Sequence, residues 1–160
     1  MLIKGIVDED FVNYKLPSMY IATATCSFKC DKEYGKPICQ NSELANQPTH
    51  NISDALIAKR YISNDITRAV VFGGLEPFDQ FNDMCCLIKI LRDSYHLPDD
   101  IVIYTGYNRD EIEEKVDFLI KNYNNIIVKF GRYVPDQQPH YDPALGVYLA
   151  SDNQYAERIS

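Results

Sequence analysis

Three of the chain's five cysteines, Cys26, Cys30 and Cys39, follow one another in the pattern Cys-x3-Cys-x8-Cys. Soft thiolates this close together suit an iron–sulfur cluster or a zinc ion. A structural zinc takes four ligands, and a cubane held by protein alone takes four thiolates. Three ligands leave one metal position open, which chemistry needs and scaffolding does not. The competing account is three incidental or buried thiols. His50 lies nearby in the sequence, but no histidine stands at a zinc or catalytic-triad spacing. Cys85 and Cys86 fall within a helical pattern, where Cys85 joins the apolar stripe and reads as core.

The elements that must position these cysteines come from a chain of 160 residues, 46% hydrophobic and 24% charged. That is globular composition and enough length for a real core. It is too short for a full eight-stranded (β/α) barrel of about 250 residues. The net charge of −7 argues against binding nucleic acid through its phosphates. The first residues carry Asp8, Glu9 and Asp10 and no apolar signal core, and no apolar stretch is long enough to span a membrane. The expected location is cytoplasmic, where closely spaced cysteines point to metal or redox chemistry more than to disulfides.

Residues 19–25 (MYIATAT) read as a first strand that runs into Cys26. Residues 27–50 show no period and read as a long loop, expected to be mobile without its metal because metal binding and ordering are coupled. Ser53 caps a helix through Ala55, Leu56, Ala58, Lys59 and Tyr61. Residues 68–72 (RAVVF) form a buried strand that stops at Gly73-Gly74. Phe81, Met84, Cys85, Ile88, Leu91 and Tyr95 mark an amphipathic helix that Pro98 ends. Residues 100–105 (DIVIYT) form a strand, Asn108 caps a helix through Leu119, and residues 125–130 (NIIVKF) form the next strand. Residues 134–143 read as a loop, 145–150 (LGVYLA) as a last short strand, and 151–160 as a tail.

This alternation predicts parallel strands joined by helical crossovers, in one domain spanning residues 1–160 with a cysteine-bearing loop at 26–50. Each strand also ends in an unusual peptide: Cys26 and its loop, Gly73-Gly74-Leu75-Glu76-Pro77, Gly106-Tyr107, and Gly131-Arg132-Tyr133. Parallel folds bind ligands at the carboxyl ends of their strands, so these peptides are expected to converge on one site. Lys129 and Arg132 read as charges on a solvated rim. Lys4, Asp31, His50, His96 and His140 read as surface residues.

The cysteine triad after the first strand and the Gly-Gly-x-Glu-Pro turn after the second resemble the radical S-adenosylmethionine (SAM) enzymes. More narrowly, most of the chain is similar to the small activating proteins of anaerobic ribonucleotide reductase. Cys39-Gln40-Asn41 resembles the Cys-x-Asn that ends their cluster motif, and Phe72–Gln80 their SAM-binding turn. Ile103-Tyr104-Thr105-Gly106-Tyr107 resembles their Tyr-Thr-Gly-Tyr stretch, and Ser151-Asp152-Asn153-Gln154 their C-terminal Ser-x-Asn-Gln. Three departures stand out. Six extra residues separate Cys30 from Cys39 relative to the family's Cys-x3-Cys-x2-Cys. Leu75 interrupts Gly-Gly-Glu-Pro. Ile38 stands where the family often has an aromatic residue.

The resemblance implies a partial (β/α) barrel of mostly parallel strands, a shortened radical SAM core. It implies a [4Fe–4S] cluster on Cys26, Cys30 and Cys39, and SAM held by Gly73, Gly74 and Glu76 with Thr105 and Tyr107 behind them. It implies reductive SAM cleavage that places a glycyl radical on a partner enzyme such as an anaerobic ribonucleotide reductase. The electron comes from a donor such as flavodoxin or ferredoxin. A radical SAM enzyme with a small-molecule substrate, a non-catalytic cluster- or zinc-binding module and a cluster-free degenerate homologue stay open as alternatives. Cys39→Ala is expected to abolish iron binding and Cys85→Ala to leave it intact, as read by iron analysis after anaerobic reconstitution. Full iron in the Cys39 variant would place the third ligand elsewhere.

Overall fold

Alternation within the apolar strand runs sets the layering. On successive strands Met19 and Ile21, Val70 and Phe72, Ile101 and Ile103, and Ile126, Val128 and Phe130 turn to one face, with Ala69, Val71, Val102 and Ile127 on the other. The computed structural model describes residues 1–160. In chain order they form β1 (Leu2–Asp10), β2 (Ser18–Thr23), α1 (Lys29–Tyr34), α2 (Ser42–Ala45), β3 (His50–Asn51), α3 (Asp54–Ile62) and β4 (Ala69–Gly74). A 3-10 turn (Pro77–Gln80) leads into α4 (Phe81–Lys89), which continues as a π-helical turn (Ile90–Ser94) before β5 (Asp100–Tyr104). A second 3-10 turn (Arg109–Ile112) leads into α5 (Glu113–Asn122), followed by β6 (Ile126–Phe130), β7 (His140–Asp142), β8 (Val147–Leu149) and β9 (Tyr155–Arg158).

Seven strands make one sheet in the order β3-β1-β2-β4-β5-β6-β9. The pairs β2–β4, β4–β5 and β5–β6 are parallel, and β1–β2, β1–β3 and β6–β9 are antiparallel. The four central strands are those expected from the apolar runs. The result is a mixed α/β fold with a mostly parallel centre, in keeping with a partial β/α barrel. Ser53 caps α3 by accepting the Leu56 N–H at 3.3 Å.

Helices cover one face only. Ile57, Ala58 and Tyr61 of α3, Met84, Leu87 and Ile88 of α4, and Val116 and Leu119 of α5 are buried against it, with Cys85 among them. The other face is closed by the segment between β1 and β2 and by the β7–β8 hairpin, through Tyr14, Leu145 and Leu149. The Tyr14 hydroxyl donates to Asp100 Oδ2 at 2.6 Å, and Tyr104 donates to the Asn13 carbonyl at 2.5 Å. One-sided helices are the layering of a barrel wall, with the second face corresponding to the lumen. No helix is long and apolar enough to cross a membrane.

Three expectations change. The N-terminal segment contains a nine-residue strand, β1, whose mixed burial hides it from a search for apolar runs. The segment at 27–50 contains α1, α2 and β3. The last strand of the sheet is Tyr155–Arg158, inside the expected tail, while residues 147–149 belong to a separate hairpin. The hairpin is joined to β9 by Asp142, 5% exposed, whose Oδ1 accepts the N–H groups of Ala144 and Leu145 at 2.9 and 3.0 Å and whose Oδ2 accepts that of Ala156 at 2.8 Å. Asp142→Ala strands these amides and is expected to cost about 3 kcal/mol, measured as a lowered urea midpoint. Asp142→Asn, which keeps an acceptor, should cost less.

Candidate functional site

The carboxyl ends of the parallel strands surround a cavity of about 320 Å³. Cys26, Cys30 and Cys39 line it together with Gly74, Glu76, Thr105, Tyr107, Lys129 and Arg132. Gly73 lies just beneath, in β4. A Cβ on Gly73 would sit 2.7 Å from the Tyr20 hydroxyl, and Gly74 has φ +82° with a would-be Cβ 2.8 Å from Ala22 Cα. Gly74 therefore demands glycine, whereas a side chain at position 73 would have to displace the Tyr20 ring.

Cys26 is set by side chains from the turn after β4. Gln80 Oε1 accepts the N–H groups of Ala24 and Thr25 at 2.7 and 3.0 Å, and Asp79 Oδ2 accepts that of Ser27 at 2.7 Å. The Phe28 N–H donates to Cys26 Sγ at 3.2 Å, the kind of contact that tunes cluster thiolates. Phe28 itself has φ +52°, a strained conformation for a bulky residue. The far end of the cysteine segment is tied to the glycine turn, where Asn41 Nδ2 donates to the Gly74 carbonyl at 2.6 Å.

Glu76 is 5% exposed. Its Oε1 accepts the Phe78 N–H at 3.1 Å and the Thr105 hydroxyl at 2.8 Å, and its Oε2 accepts the Gly106 N–H at 2.9 Å. Burial pushes its pKa up to about 7 despite these donors. The Tyr107 N–H donates to Thr105 Oγ1 at 3.0 Å and its hydroxyl donates to Asp79 Oδ1 at 2.7 Å. Glu76, Thr105 and Tyr107 thus form one hydrogen-bonded group that joins the ends of β4 and β5.

At the rim, Arg132 pairs with both oxygens of Glu111 at 2.6 and 2.7 Å, and with Glu33 of α1 at 3.2 Å. Lys29 also pairs with Glu111, and both cations lie 5.7 Å from the Tyr107 ring centroid. The Arg132 guanidinium holds the Glu111 carboxyl down to about 2. The C-terminal Asn153 and Gln154 return to this edge, donating to the Arg132 and Gly131 carbonyls at 2.9 and 3.2 Å.

Several residues escape a reading of the sequence. Lys129, read as a rim charge, is 7% exposed because strand alternation turns it onto the lumen face with Ile127. Its ammonium donates to the Gly131 carbonyl at 2.7 Å. Burial lowers its pKa to about 8, with the Glu76 charge opposing. A lysine inside the apolar run NIIVKF was the available signal. Arg132 is held in ion pairs with its side chain 11% exposed, not free on a rim. Tyr20 and Tyr104 line the lumen end of the cavity. Lys4 and Asp31, read as surface residues, hold backbone groups around the cysteine segment. Lys4 donates to the Ala45 and Gln47 carbonyls, and Asp31 accepts the Ile38 and Cys39 amides.

The donor set fits a [4Fe–4S] cluster. All three cysteines line one cavity, and none is in a disulfide. No three Cys, His, Asp or Glu side chains converge closely enough to hold a single ion, whereas a cubane spreads its thiolates over different irons. Burial raises the Cys26 thiol to about 11 and the Cys30 thiol to about 12, so loading must release protons. A family model described as a 4Fe-4S single cluster domain matches residues 18–154. No curated protein and no solved structure matches the chain.

The buried pair gives stability a defined pH dependence. Glu76 keeps its proton longer in the folded chain than its ordinary value of 4.5 allows. Its stabilising contribution is therefore full below about 4.5 and is lost as pH rises through 7. Lys129, lowered from 10.5, contributes fully above 10.5 and loses that contribution as pH falls through 8. Urea melts of the wild type and Glu76→Gln between pH 4.5 and 7 should differ in slope, with a fall of up to about 3 kcal/mol absent from the variant.

Proposed function

The chain belongs to the 4Fe-4S single cluster domain family, and from that premise we propose that it is a radical SAM activating enzyme. Its product is a glycyl radical on a partner, of which an anaerobic ribonucleotide reductase is the class the motifs resemble. The observation that carries this reading is the gathering of Cys26, Cys30 and Cys39 with Gly74, Leu75 and Glu76 and with Thr105-Gly106-Tyr107 around one cavity. A [4Fe–4S] cluster held by Cys26, Cys30 and Cys39 would supply the electron, delivered by a flavodoxin or ferredoxin, for reductive cleavage of SAM to methionine and a 5′-deoxyadenosyl radical.

The chain's own residues have distinct parts in this reaction. Cys26, Cys30 and Cys39 hold the cluster. Gly74 lines the cavity, so a ligand's ammonium group would meet the backbone of this turn, whose Gly73 and Gly74 carbonyls already accept hydrogen bonds from Thr23 Oγ1 and Asn41 Nδ2. Glu76 keeps that turn fixed against Thr105 and adds negative charge beneath it. Lys129 supplies a buried cation for a ligand carboxylate. Tyr107, braced by Asp79, walls the cavity.

Cavity size favours a protein substrate over a small molecule. About 320 Å³ is at the low end of the roughly 300–1,000 Å³ of ligand pockets, so a nucleoside-sized cofactor leaves little room for a second ligand. A glycine, with no side chain, suits approach from outside along the open carboxyl edge.

Anaerobic reconstitution with iron and sulfide, followed by dithionite and SAM, should yield 5′-deoxyadenosine. Adding the reductase should then produce a glycyl radical signal by electron paramagnetic resonance. A chain that takes up no iron, or that binds iron and leaves SAM intact even with the reductase present, would overturn the assignment.

A further inference from the structure

The eight residues between Cys30 and Cys39 set this chain apart from the compact spacing its motif resembles, and Asp31 touches both ends of that excursion. Its Oδ1 accepts the Ile38 and Cys39 N–H groups, each at 2.9 Å, and lies 3.8 Å from Cys30 Sγ. Its carbonyl accepts the N–H of Gly35, which ends α1 at φ +72°. One residue therefore ties positions 35, 38 and 39 back to the turn that carries Cys30. Residues 32–37, the end of α1 and the bend after it, form the excursion, and the Asp31 side chain bonds across it to Ile38.

We propose that Asp31 is a positioning residue that closes this excursion and presents Cys30 and Cys39 as a ligand pair before any metal arrives. The closure is local, because the acceptor and both donors lie within eight residues of one another. A lengthened loop costs little entropy when its ends are held, and hydrogen bonds to a charged acceptor are strong enough to hold them. The consequence for ligation rests on the cluster reading, whereas the closure itself does not.

The test uses the full chain as wild type, Asp31→Ala, Asp31→Asn and Lys36→Ala, together with deletion of residues 32–37 in the Asp31→Ala background. In the reduced, metal-free chain, amide exchange at Ile38 and Cys39 should accelerate about tenfold or more in Asp31→Ala, equivalent to about 1.4 kcal/mol. Exchange should stay near wild type in Asp31→Asn, which keeps an acceptor oxygen, and in Lys36→Ala, which alters only the exposed tip. After reconstitution, iron per chain should fall at least about twofold in Asp31→Ala. It should recover in Asp31→Asn and when residues 32–37 are removed, since the deletion joins position 31 directly to Ile38 and closes the excursion covalently.

Equal exchange in the wild type and Asp31→Ala would overturn the closure. Altered exchange with unchanged iron content would overturn the ligand-positioning role. A wild type that shows the exchange difference but takes up no iron would leave the closure standing and sink the cluster reading instead.

Discussion

The carboxylate of Glu76, 5% exposed, gathers the Phe78 N–H, the Thr105 hydroxyl and the Gly106 N–H. Through Thr105 and Gly106 it sets where the ends of β4 and β5 stand relative to each other. Through Phe78 it caps the 3-10 turn that presents Asp79 and Gln80. Those two side chains take the N–H groups of residues 24, 25 and 27, so the path into Cys26 follows from a carboxylate fifty residues away in sequence. Removing a carboxylate from water costs several kcal/mol. Three donors at about 1.5–3 kcal/mol each for hydrogen bonds to charge offset that cost only in part, which is why its pKa stays up at about 7.

The sheet is asymmetric, and the asymmetry explains where polar groups can be buried. The helix-covered face is filled by aliphatic and aromatic side chains and has no room for charge. The lumen face carries Ser18, Tyr20, Tyr104 and Lys129 above a small apolar floor of Tyr14, Val71, Val102 and Leu149. A buried ammonium is tolerated there because it has a carbonyl at 2.7 Å and the charge of Glu76 nearby. At the rim the arrangement reverses. Arg132 and Lys29 converge on Glu111, so α1, the turn before α5 and the end of β6 are held by charge pairs around the Tyr107 ring. The chain is acidic overall, yet the mouth of its cavity is ringed by both signs.

Legibility from sequence followed periodicity. The strands at 69–74, 100–104 and 126–130 are mainly apolar runs, with Asp100 and Lys129 their charged members, ending in glycine or a polar turn, and their common edge follows from parallel topology. Strand β1 escaped notice because it is only partly buried and rich in charge, and β9 because its four residues carry Glu157 and Arg158 in a polar tail. At the site, the cysteines, glycines, Glu76, Thr105 and Tyr107 announce themselves by type and spacing. Asp31, Asp79 and Gln80 do not, because they act by accepting backbone N–H groups, and that role leaves no pattern in the residues it serves. Lys129 illustrates the intermediate case, a charge inside an apolar run whose burial needs the strand's facing to be known.

The two ends of the cysteine segment are organised by acceptors of very different sequence separation. Asp31 reaches seven and eight positions ahead, whereas Gln80 and Asp79 reach back 56, 55 and 52. A nascent chain growing at roughly 5–20 residues per second can close the Cys30–Cys39 turn almost as soon as it is made. The path through Cys26 waits several seconds more, until the segment following β4 has been synthesised and packed. The turn between Cys30 and Cys39 can thus close early in synthesis, whereas its seating through Asn41, Lys29 and Glu33 waits for Gly74, Glu111 and Arg132 to be made.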